Sequence, residues 1–394
     1  MNRRPRILFV SINDFWGGSE ILWSQTACEA AAQGHEVCVA APHTNSALSA
    51  EHIPLRKELV DRRRIGGRVS RLNDRWMRAS GFSLPICSLG LRQLQPQVVC
   101  LSIGRTYEFL WRATVAKELT RSGLPYVLVV QYVDDTHAAL TWKERCEAAA
   151  FYRGASKIVF VADRNRRAVE RQLACTLEQA VVLQNPVQLS DLSDVAWPQA
   201  DTPALGVVAR LHTPTKGHDL LFEALSEPAW QARQWKLNLY GSGPDEPYLR
   251  ALAQTLGIAG RVAFHGHVRD VRQVWKENHM FVLPSRGEGT PLALLEAMIC
   301  ARPALVTDVG GNAEWVEEGV AGFVAEAPSK ACLLGTMERA WACREQWPLL
   351  GLRAREVVTR RRDPSPARTL LKLITECARG GRECAAGGNG HAVG

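Results

Sequence analysis

Short aliphatic and β-branched runs, each followed by a helix-length mixture of polar and apolar positions, recur from one end of the chain to the other. In the first half they predict strands over residues 7–12, 37–41, 98–103, 126–131, 157–161 and 181–184. The runs are continuously apolar rather than alternating, so each strand is expected to be covered on both faces, as in a parallel sheet between helix layers. Residues 185–203 (NPVQLSDLSDVAWPQADTP) interrupt the pattern with Pro, Asp and Ser and read as a linker. The alternation then restarts, predicting strands over 205–209, 236–240, 262–265, 280–283 and 304–307 and helices over 331–343 and 367–377. The pattern predicts an α/β chain of two doubly wound Rossmann-like domains facing across a cleft, with ligands beyond the carboxyl ends of the strands. The expected division is a first domain over 1–187, a linker over 188–203, a second domain over 204–363, a C-terminal helix over 364–378 returning to the first domain, and a Gly-rich disordered tail over 379–394.

A length of 394 residues fits two domains better than one core. Hydrophobic content of 46% and charged content of 22% are globular values. No apolar run approaches the roughly 20 residues that span a bilayer, and the opening MNRRPRILFVSI runs into Gly17 and Gly18 rather than a cleavage site, so a cytoplasmic location is expected. Eleven cysteines, Cys28, Cys87, Cys175 and Cys300 among them, form no CxxC pair and no zinc-like spacing, and read as reduced thiols. The net charge of +8 belongs to the first half: residues 1–190 hold 25 Lys and Arg against 17 Asp and Glu, while 191–394 hold 23 of each. Most of the excess lies in residues 55–78 (LRKELVDRRRIGGRVSRLNDRWMR), where Arg62, Arg63, Arg64, Arg68, Arg71, Arg75 and Arg78 interleave with Val60, Ile65, Val69, Leu72, Trp76 and Met77.

The chemistry is densest in EGTPLALLE, from Glu288 to Glu296. Thr290 is a good N-cap and Pro291 suits a first helical turn, so a helix is predicted to start there, with Glu288 in the loop before it and Glu296 on it. A helix mouth offers free N–H groups and a positive dipole end. A carboxylate, a phosphate cradle and a second carboxylate suit a diphosphate with hydroxyls on both sides; the alternative is an amphipathic helix with two surface glutamates. Arg210 and Lys216 (ARLHTPTKG) follow the first strand of the second domain, with Lys216 predicted to open the next helix, and two such cations can stabilise a departing diphosphate. Their alternative is ordinary surface charge. Gly17 and Gly18 (DFWGGSE) allow close backbone approach and positive φ after the first strand, without completing a dinucleotide GxGxxG. Gly241 and Gly243 (LYGSGP) read as a tight turn, and a similar turn at Gly310 and Gly311 precedes Glu314.

Together the GG turn at 17 and 18, ARLHTPTKG, LYGSGP, VAFHGHV, FVLPSRGEGTPLALLEAM and VGGNAEWVEEGVAGFVAE resemble a GT-B glycosyltransferase of the large retaining family 4. The resemblance covers almost the whole chain, most specifically residues 205–326 and least well 43–125. It implies that Glu288 touches donor-sugar hydroxyls and Glu296 the ribose. It further implies that Arg210 and Lys216 bind the diphosphate, that the backbone amides of Thr290, Pro291 and Leu292, next to Gly289, lie on the phosphate, and that Gly17 and Gly18 close over it. Many family members carry a His where this chain has Gln131 (VLVVQYVDD), which can bond a sugar hydroxyl but cannot titrate. Asp134 and Asp135 read as loop or acceptor-side carboxylates rather than a metal pair, so neither metal nor other cofactor is expected. The implied reaction is retaining transfer from a nucleoside-diphosphate-sugar to a saccharide or lipid-linked acceptor bound mainly by the first domain. Rivals are a sugar-nucleotide epimerase, a phosphorylase, and a non-catalytic binding protein on membrane or nucleic acid. Residues 55–78 suggest peripheral docking on an anionic membrane, the alternative being a solvated Arg-rich loop; nucleic acid is not expected, for want of a stacking platform.

Overall fold

The computed structural model describes residues 4–13, 17–41, 55–58, 89–134, 140–189 and 193–387. The chain divides into two compact units, Met1–Pro186 with Pro364–Gly394, and Val187–Asp363. The first contains β1 (Arg6–Ser11), β2 (Glu36–Ala41), β3 (Leu55–Glu58), β4 (Val98–Ile103), β5 (Tyr126–Val130), β6 (Lys157–Phe160) and β7 (Ala180–Val182). The second contains β8 (Ala204–Val208), β9 (Lys236–Tyr240), β10 (Val262–Gly266), β11 (Met280–Leu283), β12 (Ala304–Thr307) and β13 (Gly322–Ala325). The longer helices are α1 (Gly18–Ala32), α2 (Ala113–Ser122), α3 (Trp142–Gly154), α4 (Asp163–Leu173), α5 (His218–Leu225), α6 (Glu246–Thr255), α7 (Val271–Glu277), α8 (Leu292–Ile299), α9 (Lys330–Ala342), α10 (Trp347–Arg361) and α11 (Pro366–Gly387).

Among the described residues the first sheet runs β3-β2-β1-β4-β5-β6-β7 and the second β10-β9-β8-β11-β12-β13. Every strand pair is parallel. Side-chain alternation sends Leu8, Val10, Leu101 and Leu128 to one face of the first sheet, against Leu119 of α2, Tyr152 of α3 and Val169 of α4. Ile7, Phe9, Cys100 and Val127 go to the other, against Trp23 of α1 and Leu370 and Ile374 of α11. In the second sheet Val207, Leu239 and Val282 face Leu221 of α5 and Leu249 of α6, while Phe281 and Val306 face Trp275 of α7 and Leu295 and Met298 of α8. Burial on both faces explains why the inner strands read as unbroken apolar runs, while β7 and β10 at the sheet edges are only partly buried. The order reverses between β1 and β4 in one sheet and between β8 and β11 in the other, the places where such folds bind ligands.

Three expectations change. Strands β3 and β13 went unpredicted: LRKE is charged, and GFVA is short and starts at a glycine. The supposed linker packs onto the second unit, because its few apolar residues find cover: Val195 is buried, Trp197 lies edge-on to His279 at 5.6 Å, and Arg302 Nη2 donates to Ala196 O at 2.6 Å. The C-terminal helix runs on to Gly387, into the stretch expected to be disordered, since Arg, Glu, Cys and Ala there sustain a helix better than the glycines beyond.

Candidate active site

The second unit assembles its polar groups at the β8–β11 reversal. Leaving β8, the chain passes exposed Arg210 and makes the short helical turn Thr213–Lys216, which ends rather than opens a helix at Lys216. Gly217 follows with φ +62°, and a Cβ there would lie 2.0 Å from Pro284 O, so only glycine lets this segment touch the one leaving β11. Helix α5 then starts at His218. Leaving β11, the loop places Glu288 in a buried position. Lys216 Nζ donates to Glu288 Oε1 at 2.6 Å, and Ser285 Oγ donates to the same oxygen at 2.6 Å. Behind Ser285, Thr307 Oγ1 donates to its carbonyl at 2.6 Å. Gly310, with φ +51°, packs on Glu288 so closely that a Cβ would stand 2.2 Å from the Glu288 carbonyl oxygen. Glu288 is thus held by three chain segments.

Helix α8 begins one residue later than the sequence pattern predicts. Pro291, at φ −79° and ψ 77°, occupies the cap position and no side chain caps the helix, so Thr290 does not play its expected part. Pro291 has no N–H, and the N–H of Leu292 donates to Thr290 O at 2.9 Å, so neither of these residues contributes the free amide expected of it. The helix mouth keeps the positive end of its dipole beside Glu288. In the second turn Glu296 is half-buried, its carboxylate makes no hydrogen bond or ion pair among the described residues, and burial pushes its pKa up to about 7.

Two partners had no signal of their own in the sequence. Asp245, in the turn after β9, accepts from Thr213 N at 2.7 Å and Thr213 Oγ1 at 2.8 Å, bonds that hold its carboxyl below the ordinary range. His218 is fully buried, with both ring nitrogens unpartnered among the described residues. Burial, with the Lys216 charge adding to it, lowers the His218 pKa to about 4.

The sites predicted in the first half belong to the other unit. Gly17 caps α1 with φ −168°, ordinary extended backbone rather than the positive φ expected, and a Cβ there would meet nothing within 4 Å. Its glycine leaves open space instead of relieving strain. Gly18 opens α1, and Glu20, unremarked in the sequence, is buried and accepts from Trp23 Nε1 at 2.7 Å and Asn13 Nδ2 at 3.3 Å. Burial raises its pKa against those hydrogen bonds. Gln131 follows β5, buried, its Oε1 accepting from Asn185 Nδ2 at 2.8 Å and its Nε2 without a partner among the described residues. Asp134 is described, whereas Asp135 lies outside the described residues, as do 59–78 of the basic segment. Among the described residues no group of three or more His, Cys, Asp or Glu is placed to hold a metal ion.

Residues 16–191 match the family model described as Glycosyltransferase Family 4, and residues 202–342 that described as Glycosyl transferases group 1. The Vi polysaccharide biosynthesis protein VipC/TviE of Salmonella typhi is 39% identical over 88 residues, 22% of this chain and 15% of that protein. The GDP-mannose-dependent alpha-(1-6)-phosphatidylinositol monomannoside mannosyltransferase of Mycolicibacterium smegmatis is 28% identical over 193 residues, 42% of this chain and 50% of that protein. The matched stretches thus span half or less of these curated relatives. The structure of Anabaena Alr3699/HepE in complex with UDP shares the fold, with a TM-score of 0.70 at 18% identity over 94% of this chain and 100% of that one. With both halves matched in sequence order, the chain belongs to the GT-B group 1 glycosyltransferases of family 4.

Proposed function

We propose that the protein transfers a sugar, with retention of configuration, from a nucleoside-diphosphate-sugar to a saccharide or lipid-linked acceptor in polysaccharide or glycoconjugate synthesis. The observation that carries this reading is the meeting of Lys216 and Glu288 at 2.6 Å beside the mouth of α8, at the strand reversal of the second unit. In the reaction the bond from the anomeric carbon to the diphosphate oxygen breaks while the acceptor oxygen bonds to that carbon on the same face, its proton passing to the departing diphosphate. Arg210, Lys216 and the helix dipole stabilise the developing negative charge, which is why no metal is invoked. Glu288 holds hydroxyls of the reacting sugar, Glu296 the ribose, and Gln131 a sugar or acceptor hydroxyl from the first unit.

The proposed setting is the cytoplasmic face of a membrane, reached by peripheral docking of residues 55–78. No helix among the described residues is long and apolar enough to cross a bilayer. The direct test is a thermal-shift screen with UDP-, GDP-, ADP- and dTDP-sugars, followed by NMR of the anomeric proton of the product. Stabilisation by one class of donor and an axial-to-axial or equatorial-to-equatorial outcome are expected. Inversion would refute retention, and indifference to all four donors would refute the reading itself.

A further inference from the structure

Lys216 ends a short helical turn and Glu288 stands on the loop after β11, and beyond their own ion pair and the close approach of Gly217 to Pro284 one side chain ties the two segments together. That side chain is Arg286. Its backbone N–H donates to Thr215 O at 2.8 Å, its Nη1 to Thr213 O at 2.8 Å, and its Nη1 and Nη2 to the two carboxylate oxygens of Asp219 at 2.7 and 2.8 Å. Arg286 precedes Glu288 by two residues, and Asp219 follows Lys216 by three. The planar guanidinium therefore bolts the start of α5 and the Lys216 turn to the loop that carries Glu288, in a bidentate geometry that a lysine cannot reproduce. Burial works against the charge of Asp219, yet the Arg286 hydrogen bonds and charge prevail and hold its carboxyl below the ordinary range.

We propose that Arg286 and Asp219 are a positioning pair that sets the spacing between the diphosphate-binding Lys216 and the sugar-binding Glu288. The inference rests on the donor-site reading above. Each candidate ligand-binding group remains on its own element when the pair is broken, so a nucleoside diphosphate still finds Lys216 and the helix mouth. The reacting sugar loses its alignment to the leaving group. Misplacement of about an ångström at a reacting centre lowers rates on the order of 10²-fold.

The test uses the full chain and whichever of UDP, GDP, ADP and dTDP binds the wild type by calorimetry, with the matching glucose or mannose donor for turnover. Arg286→Lys and Asp219→Asn are expected to lower kcat on the order of 10²-fold, with the dissociation constant for the nucleoside diphosphate changed by less than about threefold and full binding stoichiometry retained. Millimolar guanidinium is expected to restore turnover to Arg286→Ala at least about tenfold, since a free ion can occupy the vacated fork between Asp219 and Thr213 O. Wild-type kcat in both variants overturns the pair, as does a fall in kcat matched by a fall in binding stoichiometry, which marks a role in folding alone. Absence of nucleotide binding by the wild type overturns the donor-site reading, and this inference with it.

Discussion

Lys216 and Glu288, 72 positions apart in sequence, meet through a 2.6 Å ion pair in which the carboxylate is buried and the ammonium half-buried. A pair of this kind is held for its geometry more than for stability, because desolvation offsets much of the attraction, while loss of one partner leaves the other charge buried and unmatched. The carboxylate and the cation therefore act as one unit.

Glu288 and Glu296 are expected to fail in different ways. Contacts to the ribose are alike in ground and transition states, whereas contacts to the reacting sugar can strengthen as the bond breaks. Glu296→Ala is expected mainly to weaken donor binding and Glu288→Ala mainly to lower kcat, by about 10² to 10³-fold. Steady-state kinetics with a saturable donor check this, and the reverse pattern would exchange the two roles.

Glu296 also predicts a pH dependence. With its pKa pushed up to about 7 by burial, the carboxyl is protonated below that value, while ribose hydroxyls bind best to the ionised form. Donor affinity is expected to rise about tenfold per pH unit up to pH ~7 and level off above it. The measurement uses a nucleoside-diphosphate-sugar, whose diphosphate does not titrate in that range. A slope that persists in Glu296→Gln would assign the effect to another group.

Arg210→Ala and Lys216→Ala are each expected to cost about 2–4 kcal/mol of transition-state stabilisation, the range for removing one preorganised donor from a developing charge. Activity is expected to survive EDTA, because in the proposed reaction these cations and the α8 dipole serve the leaving group. Loss on chelation, reversed by Mg²⁺ or Mn²⁺, would give Asp134 and Asp135 the metal role withheld from them.

Both sheets were legible because parallel strands buried on two faces must be apolar throughout. The edge strand β3 escaped because LRKE is charged, and β13 because GFVA, though apolar, is short and begins at a glycine. Glu288 and Lys216 stood out because Thr290 and Pro291 announce a helix start just after the one and the strand LGVVA ends shortly before the other, and the fold brings the two side chains together. The bonds that orient them were not: nothing in the spacing of Asp245 and Thr213, or of Thr307 and Ser285, announces a hydrogen bond, since the topology alone brings strand ends together. The capping of α8 was misread because Thr290 and Pro291 both suit a helix start, and only the backbone decides which of them stands outside it.

Residues 55–78 predict binding to anionic lipid, since each basic residue near such a surface contributes about 1 kcal/mol and apolar side chains add a burial term. Flotation with anionic vesicles is expected at low salt, but not with neutral vesicles, at high salt, or after replacing Arg62, Arg63 and Arg64 with Ser. Wild type that stays in the soluble fraction at low salt would point to a soluble acceptor.

His218 predicts an acid weakness beside the candidate site. Its pKa falls from 6.5 to about 4 because the ring is buried, with the Lys216 charge as the next cause. An unfolded histidine takes up its proton below pH ~6.5, whereas the folded one resists until about 4, so the unfolded state binds more protons between those values. Stability is therefore fully present above pH ~6.5 and declines as the pH falls toward 4, by about 3 kcal/mol in all, then levels. Since neither ring nitrogen has a hydrogen-bond partner among the described residues, an apolar side chain of similar size forfeits no hydrogen bond to them and spares the desolvation of a polar ring. His218→Leu is expected to melt at or above the wild-type temperature at pH 7 and to flatten the decline between pH 6.5 and 4. Parallel melting curves of variant and wild type across that range would show that another group carries the acid limb, and a lower melting temperature at pH 7 would show that the ring packs better than leucine can.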